Sequence, residues 1–195
     1  MACYSKPKWP QHALLLVVIS ALAGAAGCGK KTPDGAVASK ESAKDTAVAM
    51  DPSCKPIADA ELAQRSKPAY RIAFVSTVSG KTTRHESILT ADKMFFHTEG
   101  SAWTKSPFSM QRANQDALKE LSRNPPFDCK QTGSETINGV QTSVYQYQNK
   151  ISKTLTAQHK LWIGADGLPH KRLDSFTDSQ VEATFNYSDV SPPVQ

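Results

Sequence analysis

Histidines are the most versatile metal and proton ligands in this 195-residue chain. The five of them are His12, His85, His97, His159 and His170. None stands in a metalloprotease helix motif or beside a cysteine pair at zinc-finger spacing. A metal site would need three strands to bring His85, His97 and His159 together. Histidines spread along a sequence in this way are more often separate surface or half-buried residues than metal ligands. The sequence therefore predicts no metal site and no cofactor.

Nucleophiles and carboxylates give no clearer sign of catalysis. No serine lies in the Gly-x-Ser-x-Gly turn of the hydrolases. Gly164 and Gly167 do not form a phosphate-binding loop, because a strand is predicted where a helix would have to begin. The nearby carboxylates fall in predicted turns and on outward strand faces, where acidic residues are common; they are Asp166, Asp174, Asp178 and Glu182. We expect a protein that is not an enzyme, and a hydrolase with unrecognised residues is the weaker alternative.

The N-terminus has the pattern of an export signal. Lys6 and Lys8 make it basic, and a run of 14 apolar or small residues follows from Ala13 to Ala26. A helix needs about 20 apolar residues to cross a bilayer, so this run is too short to span one. Residues 1–27 are therefore predicted to be a signal peptide with no part in the fold.

Cys28 follows this signal directly. The sequence Ala25-Ala26-Gly27-Cys28 resembles the bacterial lipoprotein box, in which the cysteine is acylated, with chains such as palmitate, and becomes the mature N-terminus. The box usually has leucine where this chain has Ala25, so cleavage by an ordinary signal peptidase, leaving a soluble periplasmic protein, is the alternative. The resemblance implies a membrane-bound protein anchored at Cys28, because two or more acyl chains hold a protein firmly.

Residues 28–53 are predicted to be a flexible tether. The segment has no aromatic residue, and its larger apolar side chains are only Val37, Val48 and Met50. Such a segment buries too little surface to offset the entropy lost on ordering. It fits a spacer that lets the folded part reach away from the bilayer, and equally a solvated leader without a role of its own. Gly29 stands where Asp often signals inner-membrane retention, which implies the outer membrane, facing the periplasm.

Cys54 and Cys129 remain once Cys3 leaves with the signal and Cys28 carries lipid. In an oxidising compartment of the cell envelope, two such cysteines most simply form one disulfide. It would close a loop of about 75 residues and stabilise the fold by about 4 kcal/mol on the chain-entropy estimate. Free or intermolecular thiols are the alternative.

Residues 54–195 are predicted to form one domain. The chain is 21% charged and 8% aromatic, which excludes wholesale disorder and collagen-like repeats. Apolar residues at helical spacing predict helices over 56–65 and 110–121. Period-two alternation predicts strands at 70–78, 151–163 and 181–187. Further strands are expected at 82–90, 93–104 and 168–176, and at 135–137 and 140–142 on the two sides of a turn. Because strands and helices do not alternate, we expect the α+β class, with an antiparallel sheet curved around the helices.

Two hairpin motifs resemble those of a bacterial envelope superfamily. The first spans residues 133–145 around Asn138-Gly139, a dipeptide that favours a two-residue turn because both residues accept positive φ. The second has the sequence KLWIG at residues 160–164, followed by Gly167-Leu168-Pro169 and Lys171. Both are similar to hairpins of the LolA, LolB and LppX type.

This resemblance implies a half-open, unclosed β-barrel, a strongly curved antiparallel sheet wrapped around about two helices. In several members the space between sheet and helices accepts acyl chains of lipids or lipoproteins. The arginine through which the lipoprotein carrier is thought to handle its cargo has no recognisable match in this chain. The resemblance therefore does not name a cargo.

Aromatic residues are the candidates for lining such a cavity: Phe74, Phe95, Phe96, Trp103, Trp162 and Phe185. They fit an ordinary core as well as an apolar cavity. The first hypothesis is a lipid-anchored envelope protein that binds a lipid or acyl chain without catalysis. The alternative is a protein-interaction module with a filled core. Basic residues are spread singly over a chain of net charge +5, so no nucleic-acid partner is expected.

Overall fold

The computed structural model describes residues 49–106, 110–152 and 155–193, without the side chains of residues 110, 112 and 113. The predicted signal peptide, Cys28 and the predicted tether as far as residue 48 lie outside the described residues. The first regular element is a short 3₁₀ turn at Pro52–Cys54, close to the predicted start of the domain.

Two α-helices and nine strands make up the described part of the chain. Helix α1 spans Lys55–Arg65 and helix α2 spans Met110–Arg123. The strands are β1 (Ala69–Val78), β2 (Lys81–Thr90), β3 (Met94–Thr98), β4 (Thr104–Lys105), β5 (Phe127–Ile137), β6 (Val140–Lys150), β7 (Thr156–Gly164), β8 (Pro169–Ser175) and β9 (Ser179–Asn186). Neither helix is both long and apolar enough to pass through a lipid bilayer.

All nine strands belong to one antiparallel sheet in the order β4-β3-β2-β1-β9-β8-β7-β6-β5. Every pairing joins strands that follow each other in the chain, except that the last strand, β9, pairs with β1 as well as with β8. The edge strands β4 and β5 do not pair with each other, so the curved sheet stays open. The predicted α+β class, with an unclosed half-barrel and two helices, is confirmed.

Two-residue turns close both long hairpins. Asn138 and Gly139 have φ of 50° and 82° and connect β5 to β6, as predicted. Ser79 and Gly80 have φ of 49° and 78° and connect β1 to β2. Lys81 already pairs with Val78 in the ladder, so β2 begins one residue before the predicted strand at 82–90.

The prediction of one strand over 93–104 is wrong. The segment forms two short strands, β3 and β4, which pair with each other. Gly100, with φ of 81°, lies in the connection between them, where the amide of Ser101 donates to the carbonyl of Thr98 at 2.9 Å. A period-two pattern does not reveal such a reversal, because both short strands continue it.

The prediction that Ile151 and Leu155 begin a long buried strand is also wrong. Both residues lie in the connection from β6 to β7, where the amide of Ile151 donates to the carbonyl of Leu155 at 2.9 Å. Their side chains are 51% and 39% exposed. The strand β7 begins at Thr156, and its buried apolar residues begin at Ala157.

The main core lies where α1 packs against the sheet. Its buried residues are Cys54, Ile57, Ala60, Cys129, Tyr147, Leu161 and Ile163. The predicted disulfide between Cys54 and Cys129 is present and links residues 75 positions apart. It connects the start of α1 to β5, so helix and sheet are joined covalently at one end of the helix.

Candidate functional site

The sheet face that contacts α1 can be followed across the strands by register. Alternate residues of a strand share a face, and Leu161 of β7 belongs to the core under α1. The paired residues run from Leu161 to Arg172, then to Ala183, Phe74 and His85. We call this surface the helix-side face, and the other surface the opposite face.

A group of charged residues connects α1 to the helix-side face, and we call it the ion-pair cluster. Its members are Glu61, Arg65, His159, Arg172 and Asp174. Arg172 Nη1 donates to Glu61 Oε1 at 3.3 Å, and Arg65 donates to the other carboxylate oxygen of Glu61 at 3.4 Å. Two cations and two carboxylates therefore neutralise one another between the helix and the sheet.

Asp174 is the most buried member of the ion-pair cluster, with 6% of the residue exposed. Its carboxylate accepts a hydrogen bond from His159 Nδ1 at 2.7 Å and lies 3.2 Å from Arg172 Nε. Burial by itself would raise the pKa of Asp174, but Arg172 and the hydrogen bond from His159 hold that pKa below its ordinary value. Asp174 in turn raises the pKa of Arg172. Both groups are therefore charged at neutral pH.

The contact between His159 and Asp174 has the form of a catalytic acid–base pair, but it lacks a reacting partner. The remaining ring nitrogen, His159 Nε2, is buried, and no described residue forms a hydrogen bond with it. The ring stacks on Tyr147 with centroids 4.8 Å apart. A general base must reach the proton that it abstracts, and the burial of Nε2 favours a structural role for this pair.

The helix-side face of β1 to β3 is less covered than the region under α1. Ile72, Phe74 and Phe96 are half-buried there, and we call these three residues the apolar strip. Ile72 and Phe96 both pair with Ser87 of β2. Phe74 pairs with His85, and burial lowers the pKa of His85, so the imidazole is mainly uncharged at neutral pH. The apolar strip is thus bordered by uncharged groups on β2.

The six aromatic residues predicted to line a cavity do not lie on one surface. Phe74, Phe96 and Phe185 lie on the helix-side face by register. Phe95 is adjacent to Phe96 and therefore lies on the opposite face. Trp103 stacks on His97, with centroids 5.2 Å apart, and His97 shares the face of Phe95. Only the first three remain candidates for contact with a ligand under the helices.

Trp162 also lies on the opposite face, next to the helix-side residues Leu161 and Ile163. Its indole Nε1 donates to Glu135 Oε2 at 2.6 Å, and Lys171 Nζ lies 5.1 Å from the ring centroid. These polar partners come from β5 and β8 and hold Trp162 against the opposite face of the sheet. It does not contribute to a cavity on the helix side.

The histidines considered as metal ligands are separated. His85 lies on the helix-side face of β2, His97 on the opposite face of β3, and His159 in the ion-pair cluster. His170 contacts Asp166 at 3.2 Å beside the β7–β8 turn. Over the ranges that the structure describes, no group of three or more His, Cys, Asp or Glu side chains is arranged to hold a metal ion.

The ion-pair cluster was not predicted, although the sequence contains a signal for it. Glu61 stands between Ile57 and Gln64 at helical spacing, so a charged residue occupies the face of α1 that becomes buried. Buried charges are normally paired. The pattern therefore required a cation on the sheet, but it did not indicate which one.

Comparisons with known proteins give a likeness of fold without a sequence family. No family model and no curated protein matches the chain. The fold is similar to that of lipoprotein LppX from Mycobacterium tuberculosis, with a TM-score of 0.50, 11% identity, and coverage of 73% of this chain and 97% of LppX. LprF from Mycobacterium bovis has a TM-score of 0.49 and 9% identity, with coverage of 73% of this chain and 96% of LprF. The matched chain of the MucA/MucB complex of Pseudomonas aeruginosa has a TM-score of 0.45 and 12% identity, with coverage of 72% of this chain and 58% of that chain. The resemblance in fold that the hairpin motifs predicted is confirmed.

Proposed function

We propose that this chain is a non-catalytic envelope lipoprotein that binds a lipid or acyl chain on the helix-side face of its half-barrel. The observation that carries the proposal is the half-buried apolar strip of Ile72, Phe74 and Phe96. These side chains continue the buried surface of Ala183 and Phe185 on β9. Apolar groups on a curved, partly covered surface are the usual lining of a site for an apolar ligand.

The same proposal includes a membrane anchor and a cellular location. Residues 1–27 would direct export, Cys28 would carry the lipid, and residues 28–53 would hold the domain away from the bilayer. The domain of residues 54–195 would then face the periplasm from the outer membrane. LppX, whose fold is similar, is named a lipoprotein, which supports a lipid anchor for this chain as well.

A protein-interaction module is the second candidate function. The observation in its favour is the edge strand β5, whose residues 130–136 are exposed along the open side of the sheet. An exposed edge can accept a strand from a partner. However, the pairing of β5 with β6 shifts register between Phe127 and Lys130 and again between Gln131 and Gly133. Such bulges work against strand addition, so we favour the ligand-binding function.

Native mass spectrometry of the full-length protein, released from detergent, tests the proposal. We expect a fraction of the wild-type protein to carry co-purified lipid. Phe74→Ser should lower the lipid-bound fraction by about fivefold or more, because a phenylalanine side chain contributes roughly 1.5 to 3 kcal/mol when buried. Val75→Ser is the matched control, since Val75 is the half-buried neighbour on the opposite face. Equal losses in both variants, or wild-type protein without lipid, would contradict the proposal.

A further inference from the structure

A pocket of about 230 Å³ lies where the chain passes from α1 into β1. Its lining comes from four parts of the chain: Arg65 at the end of α1, Lys67 in the connection, Tyr70 and Leu89 of β1 and β2, and Asn114 of α2. Pockets that hold a whole drug-sized ligand measure roughly 300 to 1,000 Å³. A pocket below that range can hold one end of a lipid but not all of it.

The floor of this pocket continues into the apolar strip. Tyr70 and Leu89 are paired across β1 and β2 and form a buried cluster with Met94. Ile72, the first residue of the apolar strip, packs against this cluster. A ligand whose acyl chains lie on the apolar strip would therefore have its polar end at the pocket.

The lining of the pocket carries positive charge and no carboxylate. Lys67 is exposed and forms no ion pair with any residue that the structure describes. Arg65 pairs with Glu61 at 3.4 Å, but the other carboxylate oxygen of Glu61 forms an ion pair with Arg172. Both cations therefore retain capacity to donate hydrogen bonds to an anion.

Two uncharged groups complete the set of polar groups in the pocket. The hydroxyl of Tyr70 has no hydrogen-bond partner in the described part of the chain, and burial raises its pKa, so it stays protonated and able to donate. Asn114 Oδ1 is buried and accepts no hydrogen bond from a described residue. An unsatisfied buried acceptor is costly. A matching ligand would offer both an anionic oxygen and a hydrogen-bond donor.

We propose that this pocket binds the headgroup of a glycerophospholipid, with the phosphate at Arg65, Lys67 and Tyr70. The proposal rests on the proposed function, because it assigns the polar end of the same ligand. The headgroup hydroxyl or ammonium would donate to Asn114 Oδ1. A fatty acid carboxylate supplies acceptors only, and diacylglycerol has no anionic oxygen, so neither satisfies the whole set.

Photo-crosslinking with the full chain in dodecyl maltoside micelles tests this assignment. Phosphatidylglycerol and diacylglycerol with identical diazirine acyl chains are the two probes, and the label is quantified on peptides that contain Ile72, Phe74 and Phe96. We expect phosphatidylglycerol to label these peptides about tenfold more than diacylglycerol, the factor that one charge-assisted hydrogen bond supplies. The double variant Arg65→Gln/Lys67→Gln should reduce phosphatidylglycerol labelling to the diacylglycerol level.

The matched control is Lys81→Gln/Arg84→Gln, which removes the same two charges from exposed positions of β2 outside the pocket. It should label as the wild type does, and diacylglycerol labelling reports that each variant is folded. Equal labelling by the two lipids, or unchanged labelling in the pocket variant, would overturn the headgroup assignment alone. No labelling of these peptides by either lipid would overturn the proposed function. Displacement of phosphatidylglycerol by micromolar glycerol 3-phosphate would show that the pocket binds a soluble phosphate monoester without acyl chains, and would overturn the lipid assignment.

Discussion

Arg172 of β8 donates a hydrogen bond to Glu61 of α1 at 3.3 Å, across 111 positions of the chain. The pair lies between the helix and the sheet, with the side chains only 24% and 15% exposed. Asp174 approaches the same guanidinium from β8 itself. At its N-terminal end α1 is held by the disulfide of Cys54. The helix is therefore attached to the sheet by a covalent bond at its start and by ion pairs in its second half.

Loss of the Glu61 charge should destabilise the fold. Glu61→Gln leaves Arg172 and Arg65 without a carboxylate on the helix, and breaking a largely buried pair leaves an uncompensated charge. We expect the free energy of unfolding to fall by about 2 kcal/mol in urea titrations. Asp59→Asn, on the same helix, breaks only the exposed pair with Lys55 and should cost about 0.5 kcal/mol or less. Equal effects in the two variants would contradict a structural role for Glu61.

Acid should weaken the fold partly through Asp174. The pKa of this carboxyl is lower in the folded protein than its ordinary value of 3.8. Its contribution to the free energy of unfolding is therefore fully present above pH 3.8 and is lost as the pH falls through the lower, folded value. Asp174→Asn should be less stable than wild type at neutral pH, and the two unfolding curves should converge in strong acid. A constant difference at all pH values would refute this origin.

The disulfide should contribute strongly to stability because it closes a loop of 75 residues. The double variant Cys54→Ala/Cys129→Ala should lose about 4 kcal/mol of unfolding free energy on the chain-entropy estimate. Alkylation followed by mass measurement provides the direct check. Wild-type protein should expose these two thiols only after reduction, and alkylation of both in non-reduced protein would rule out the bond.

Acylation of Cys28 stays a prediction, because this residue lies outside the described residues. Cys28→Ala should release the protein from the membrane fraction and remove the mass of the acyl chains, since the polypeptide would have lost its anchor. Cys3→Ala is the control, because Cys3 belongs to the predicted signal peptide and its loss should leave the anchor in place. Membrane association of Cys28→Ala at the wild-type level would eliminate this anchor.

The sequence predicted most elements because their signals are local. Val181, Ala183 and Phe185 alternate with polar residues, and all three are buried on one face of β9. The turn at Asn138-Gly139 forms because these two residues accept positive φ. The same local patterns failed at Ile151 and Leu155, where apolar residues happen to continue the period through a connection between strands.

The sequence did not predict which face of the sheet lies under α1 or which residues contact each other across strands, because both depend on which strands become neighbours. Phe95 and Phe96 were both cavity candidates; the period of two in a strand already sends them to opposite faces, but only the pairing of the strands shows that Phe96 lies on the helix-side face. Whether the three helix-side aromatics contact a ligand is still a prediction.

The amino-acid sequence by itself determined most of the strands, the helices, the cysteine pair and the antiparallel α+β class through short-range periodicity and residue chemistry, and the open form of the sheet was implied by the resemblance of the two hairpin motifs. Only the tertiary structure decided that β9 pairs with β1, that α1 packs on the buried residues of β6 and β7, and that Arg172 contacts Glu61. Those contacts join residues far apart in the chain. They are fixed by the joint packing of the whole sheet and its helices, and no single segment contains that information.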